Sequence, residues 1–204
     1  MEKIIVIQHC QSEHHINDLT GGWTDTPLTD NGKEQSEKIA QRIKDIQNID
    51  QYKFFTSDLL RAKQTAEIIH NCISLPLVED KRLREINNGD AVWKTKEWAK
   101  KNRNPQQPGT FNIDYREYNN GETWREFFNR ISDFMEMLCS SKERYAILVT
   151  HGCALNYIIS WWLYFDLKLL EKSYFSASPG SVSILDTSIY GQHALRLMNC
   201  TKHL

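Results

Sequence analysis

With 204 residues and 25 basic against 26 acidic side chains, for a net charge of −1, the chain can bury one substantial core, and one domain is expected over residues 1–204. That charge balance gives no reason to expect nucleic acid or an anionic membrane as partner, so any anion must be held locally. The longest apolar stretch, YIISWWLYF from Tyr157 to Phe165, falls short of the roughly 18 residues of a membrane span, and the N-terminal IIVI is too short for a secretory signal, so a cytoplasmic location is expected.

Residues 4–7 are a continuous β-branched run, which suits a strand buried on both faces of a parallel sheet. From Thr29, a plausible N-cap, TDNGKEQSEKIAQRIKDI sets Ile39, Ile43 and Ile46 at helical spacing. KFFT at 53–56 is the next strand, after which Ser57 is expected to cap a helix through DLLRAKQTAEIIH. Periodicity then fades over 86–122, where NRNPQQPGT reads as a loop between short helical pieces, and this segment is expected to form a lid carrying specificity. The capping box Thr123-Trp124-Arg125-Glu126 opens a helix whose Phe127, Ile131, Phe134 and Leu138 share one face. YAILVT (145–150) is a further buried strand, a helix follows from Ala154 to about Phe165, and SVSIL and HALRLMN are expected to close the chain as a hairpin. Strands alternating with helices predict a three-layer αβα domain with a mainly parallel sheet and an antiparallel edge.

In such sheets ligands gather beyond the carboxyl ends of the strands. Three predicted strands end at Gln8-His9, at Ser57 with Arg61 just beyond, and at Thr150-His151-Gly152. Two histidines and an arginine therefore converge, with Arg61 close to a helix N-terminus whose free N–H groups also favour an anion. A phosphoryl group fits this set: a neutral His9 imidazole can attack phosphorus while Arg61 and His151 stabilise charge on its oxygens. Taken alone, His14 and His15 read as a solvated loop and Glu85 as an exposed carboxylate. The five cysteines, Cys10, Cys72, Cys139, Cys153 and Cys200, form no C-x-x-C pair, so most are expected to be buried thiols rather than disulfide or zinc partners. A zinc site from His9, His14, His15 and Cys10 is disfavoured because adjacent histidines do not readily aim at one ion.

Several ordered motifs resemble those of the histidine phosphatase superfamily, the phosphoglycerate mutase-like proteins. QHCQSEHHIN resembles its R-H-G-[EQ]-[ST] signature, and GGWTDTPLTDNGKEQ its G-W-x-D-x-P-L-T-x-x-G-x-x-Q pattern. TSDLLRAKQTAEII, LREINNG, NGETW and LVTHGCAL are similar to its further elements. The resemblance implies His9 as the phosphorylated nucleophile, Arg61 and His151 as phosphate ligands, and Glu85 as proton donor to the leaving oxygen and acceptor from water. It also points to Ser12, His15 and Gly152 as phosphate contacts, to no metal or organic cofactor, and to a small phosphorylated metabolite as substrate.

Three positions depart from the pattern, the first being His15, where the family usually has asparagine and Asn17 stands two residues on. Gln8 stands where the family usually has arginine, and Cys10 where it usually has glycine. Glutamine offers only uncharged donors from one nitrogen, and losing a preorganised donor typically costs about 10²–10³ in rate. The expectation is therefore a weak phosphomonoesterase, or else a phosphate-binding module with impaired chemistry; a mutase is the less favoured third reading. Two further expectations follow: easier protonation of His9, moving activity to higher pH, and strain at Cys10 if its φ must be positive.

Overall fold

The computed structural model describes residues 1–204. Its strands are Lys3–Gln8 (β1), Tyr52–Thr56 (β2), Leu77–Glu79 (β3), Tyr145–Thr150 (β4), Val182–Thr187 (β5) and His193–Cys200 (β6). Its helices are Glu13–Ile16 (α1), Asp30–Lys44 (α2), Leu60–Ile73 (α3), Lys96–Asn102 (α4), Trp124–Ser140 (α5), Gly152–Trp162 (α6) and Leu167–Leu170 (α7).

The β-branched run of β1 lies near the middle of a six-stranded sheet of order β3-β2-β4-β1-β5-β6. β1 pairs in parallel with β4, Lys3 opposite Tyr145 and Gln8 opposite Thr150, and β4, β2 and β3 continue the parallel half. β5 runs antiparallel to β1, and β6 antiparallel to β5. This is the expected mainly parallel sheet with an antiparallel hairpin at its edge.

Side chains of a strand alternate between faces, and β1 supplies both halves of the core. Ile5 and Ile7 pack with Ile39 and Ile43 of α2 and Ile69 of α3. Ile4 and Val6 pack with Phe127, Ile131 and Phe134 of α5 and Ile158 of α6. Helices therefore cover both faces, giving the three layers. Burying one such aliphatic or aromatic side chain contributes about 1.5–3 kcal/mol, so the register that carries Gln8 and His9 to the end of β1 is fixed by the core.

Two expected caps are present. The Thr29 hydroxyl accepts from Gly32 N at 3.0 Å, and Thr123 with Glu126 forms the reciprocal capping box of α5. Each such cap is worth about 1 kcal/mol. Ser57 does not cap α3: the helix begins at Leu60 after Leu59, and it is the Asp25 carboxylate that accepts from Leu60 N at 2.6 Å. The apolar run from Tyr157 leaves the helix at Trp162, and Tyr164 takes a φ of 58°. Of the cysteines only Cys10 is fully buried; the other four are half-buried, with Cys72, Cys139 and Cys153 packed against the two core clusters.

Within 86–122 the chain forms a short 3₁₀ turn at Gly89–Ala91 and then α4, with no further helix or strand before Thr123. Ala91, Ala99 and Tyr118 make a separate small apolar cluster with Trp98 against it. No helix is long and apolar enough to cross a membrane.

Candidate active site

The carboxyl ends of β1 and β4 lie side by side, and His9 N extends the ladder by donating to Thr150 O at 2.9 Å. The His9 ring is buried, and its Nδ1 lies 2.8 Å from Cys10 O. A carbonyl can only accept, so Nδ1 carries the proton and Nε2 keeps its lone pair. That lone pair accepts from Arg61 Nε at 3.1 Å.

Arg61 is the second residue of α3 and 1% exposed. Its Nη1 donates to Thr24 O at 2.9 Å and its Nη2 to Gly22 O at 2.7 Å. It forms no salt bridge; backbone carbonyls hold the guanidinium and leave its charge unneutralised. Gly22 has a φ of 57°, and a Cβ there would collide with the Asn88 side chain. The segment that cradles Arg61 thus depends on a glycine.

His151 precedes α6 as its N-cap residue, with its ring centroid 5.0 Å from that of His9. Its Nε2 is 2.8 Å from the Ser57 hydroxyl, while its Nδ1 is buried without a partner. Gln8 is 7% exposed, its Oε1 is likewise buried and unpartnered, and its carboxamide lies against Gly152, the first residue of α6.

The Glu85 carboxylate bridges two segments: Oε1 accepts from Ile86 N and Oε2 from Cys153 N, each at 2.9 Å. Its backbone carbonyl accepts from Trp23 Nε1 at 2.8 Å and Arg130 Nη2 at 3.0 Å. Arg130 of α5 also donates to Arg82 O and Arg84 O and pairs with Glu122 at 2.7 Å. Burial raises the Glu85 carboxyl above its usual range, against the opposing pull of those two N–H groups and of Arg61 and Arg130.

His14 and His15 are not in a solvated loop. They form α1, with His14 buried. The Ser12 hydroxyl, itself fully buried, is 2.8 Å from His14 Nδ1, and Ser12 N donates to His15 Nδ1 at 3.1 Å. The His15 ring stacks on His9 with centroids 5.6 Å apart. In this arrangement Ser12 is bonded within the histidine cluster, whereas His14 and His15 both line the open cavity.

All four histidines are held neutral. Burial, followed by the Arg61 charge, sets His9 and His151 well below the ordinary value. Burial lowers His14 to about 3 and His15 to about 4. Arg61 is lowered by burial to about 10 and stays cationic. Desolvation and Arg61 thus hold His9 neutral with an uncharged residue at position 8. Cys10 has no positive φ. Its thiol is buried in the core with Ile5 and Ile7 and raised to about 11 by burial, so the expected backbone strain is absent.

A cavity of about 780 Å³ opens beside these groups, with His15 and Glu85 on its inner side and Lys96, Lys100 and Arg103 among its lining. A neighbouring cavity of about 470 Å³ shares Trp124 and Cys153 with it. No group of three or more histidine, cysteine or acidic side chains is arranged to hold a metal ion. Chemically, the site offers an imidazole lone pair, one buried cation and a carboxyl of raised pKa, which suits nucleophilic attack at an electrophile bearing negative oxygens.

Ser57, Asp25 and Arg130 were not singled out for these roles by the sequence. Ser57 carries a local pattern that predicts a cap. Arg130, one polar residue on an amphipathic helix, carried none, since its main partners are backbone carbonyls.

The profile of the histidine phosphatase superfamily (branch 1) matches residues 4–201. A Yersinia enterocolitica protein named "Probable phosphoglycerate mutase GpmB" is 30% identical over 172 residues, 78% of this chain and 74% of that protein. Its Serratia proteamaculans namesake is 27% identical over 98% of this chain and 83% of its own. Among solved structures, the α-ribazole phosphatase of Shigella flexneri superposes with a TM-score of 0.80 at 20% identity, covering 97% of this chain and 96% of its own. A mycobacterial glucosyl-3-phosphoglycerate phosphatase gives 0.80 at 20% identity, covering 98% and 99%. Those two structures share the fold, and the profile match over nearly the whole sequence settles the family: this chain belongs to branch 1 of the histidine phosphatase superfamily.

Proposed function

We propose that the protein is a phosphomonoesterase of low turnover that works through a phosphohistidine at His9 on a small phosphorylated metabolite. One observation carries this reading: the His9 proton is fixed on Nδ1 by Cys10 O, leaving the Nε2 lone pair beside the buried Arg61. In the first step Nε2 bonds to phosphorus, the ester P–O bond breaks, and Glu85 gives its proton to the leaving oxygen. In the second step water gives a proton to Glu85 and attacks phosphorus, the P–N bond breaks, and His9 returns with inorganic phosphate. The raised Glu85 carboxyl suits the donor role. His151, with its unpartnered Nδ1, supplies an oxygen contact, and so does Gly152 at the start of α6. The leaving group occupies the cavity lined by Lys96 and Lys100, so the 86–122 segment acts as the lid that selects it.

Mixing with phosphomonoester carrying labelled phosphorus and quenching in base tests this directly, since phosphohistidine is acid-labile. Label on His9 that is absent from His9→Ala is expected, and an unlabelled, folded protein would falsify the reading.

A second reading draws on a specific observation: Arg61 Nε occupies the Nε2 lone pair and Gln8 brings no charge to replace it, so the protein binds phosphoryl ligands without turning them over. Turnover by the purified protein that disappears in His9→Ala rejects that reading. The name of the relatives raises mutase activity as a third, which isomerisation of phosphoglycerates in a coupled assay would reveal.

A further inference from the structure

The pocket around His9 is short of positive charge. Its faces are set by β1 with Gln8 and His9, by α1 with His14 and His15, by α3 with Arg61, and by the end of β4 with His151. Ser57 follows β2 and bonds His151, and Glu85 closes the side next to α6 through Cys153 N. The four histidines are neutral. Arg130, packed behind Glu85, spends its charge on the Glu122 carboxylate at 2.7 Å. Lys96 of α4 lies in the lining of the outer cavity with His14 and His15, and its charge acts on those two rings. Asp25 and Glu85 add negative potential at Arg61. Arg61 is the single cation bonded into the inner pocket, and two of its three donor nitrogens are engaged by carbonyls.

A phosphomonoester dianion brings two charges to this one cation. Leaving the second charge uncompensated among these buried side chains is costly. A protonated phosphoryl oxygen needs an acceptor instead, and an unpartnered one is present: Gln8 Oε1 is buried with no hydrogen bond, on a side chain 7% exposed. Arginine, which has donors only, would leave a P–O–H group at that position without an acceptor and would suit the dianion.

We infer that the pocket selects the singly protonated, monoanionic form of the phosphoryl group, with P–O–H donating to the Gln8 carboxamide oxygen and the charged oxygens turned to Arg61. The inference rests on the phosphatase reading only in taking the phosphoryl group to sit at His9. It makes the substrate's own protonation a determinant of binding, and places the best activity on the acid side of the ester's second ionisation, near about pH 6.

Calorimetric binding of inorganic phosphate and of sulfate to the intact protein, between about pH 6 and about pH 9, tests this without turnover. Sulfate stays a dianion across that range. Phosphate affinity is expected to fall about tenfold per pH unit above its second ionisation, while sulfate binds weakly at every pH. In Gln8→Arg, sulfate binding is expected to rise at least about tenfold, the value of one charged hydrogen bond, and the phosphate slope to flatten. Parallel slopes for both anions would assign the pH dependence to histidines or Glu85, and a flat phosphate profile in the unaltered protein would likewise overturn the inference. Absence of binding by either anion at any pH would overturn the phosphate-site reading itself.

Discussion

The inner and outer walls of the site are built on opposite principles. The inner wall, Gln8, His9, Arg61 and His151, is at most 7% exposed, and Arg61 is fixed there by carbonyls rather than by a carboxylate. The outer wall, α4 and the chain after it, is exposed and charged, with Arg103 paired to Glu117 at 2.6 Å and Lys101 to Glu97 at 2.7 Å. Buried polar groups with fixed partners hold geometry to fractions of an ångström, which chemistry at phosphorus requires. Solvated charges on an exposed wall attract ligands at a distance, and each is worth little. Inner-wall changes are thus expected to alter turnover of every substrate, and outer-wall changes to alter KM for some.

The largest effect is expected from His9→Ala. If Nε2 is the nucleophile, kcat falls on the order of 10³-fold or more for all phosphomonoesters alike. Steady-state assays on several unrelated esters check this, and residual turnover within tenfold of the parent protein would show that the inner wall holds no nucleophile.

The same burial has a cost in stability. His9, His14 and His151 stay neutral in the folded state, whereas the unfolded chain protonates them below the ordinary 6.5. The unfolded state then binds more protons, so stability falls as pH falls, by up to ~1.4 kcal/mol per pH unit for each histidine. Glu85 acts in the other sense: its raised carboxyl adds stability on acidification until the unfolded carboxyl also protonates. With the lowered histidines outnumbering the one raised carboxyl, the denaturation midpoint is expected to drop on going below about pH 6.5. His14→Asn is expected to make the drop shallower, and an unchanged midpoint down to about pH 5 would mean that the cluster is solvated.

Much of the inner wall was legible because each of its residues sits at the end of a strand or the start of a helix, where the apolar pattern announces it. Ile4 to Ile7 placed Gln8 and His9, and Tyr145 to Thr150 placed His151. The bond between Arg61 and His9 was not legible, nor was the neutrality of the histidines. Carbonyl partners such as Gly22 O and Thr24 O come from any residue type and leave no mark in a sequence, and desolvation belongs to the assembled cluster rather than to any position in the chain. Ser57 shows the converse, a residue whose local pattern suggests a cap while a tertiary partner, His151, takes its hydroxyl. On the outer wall the loss of periodicity correctly marked 86–122 as irregular, but only the fold shows that Lys96, Lys100 and Arg103 line one cavity.

Gln8 sharpens the contrast from the inner side. Gln8→Arg adds a guanidinium where a carboxamide now rests against Gly152, and a gain of at least about tenfold in turnover is expected on dianionic esters near neutral pH. A gain confined to KM would assign the residue to ground-state binding, and the absence of any gain would separate Gln8 from the reaction.

The smallest effect is expected on the outer wall. Lys96 and Lys100 are one turn apart on α4, so they present neighbouring ammonium groups, and neither has a carboxylate within salt-bridge reach, whereas Lys101 does. On the proposed phosphatase reading, two unpaired cations in the cavity lining are expected to favour a leaving group that carries a second acidic function away from the scissile ester. Exposed ion pairs are worth about 0.2–1 kcal/mol, so Lys96→Ala and Lys100→Ala are each expected to raise KM by about twofold to fivefold for a phosphomonoester with a remote carboxylate or phosphate, leaving kcat unchanged. A matched alcohol phosphate without that group is expected to show no change, and added salt to narrow the gap between the two substrates. Equal losses on both would mean that the lysines act on the transferred phosphoryl group, and the division between the two walls would then fail where it is drawn here, between α4 and the strand ends.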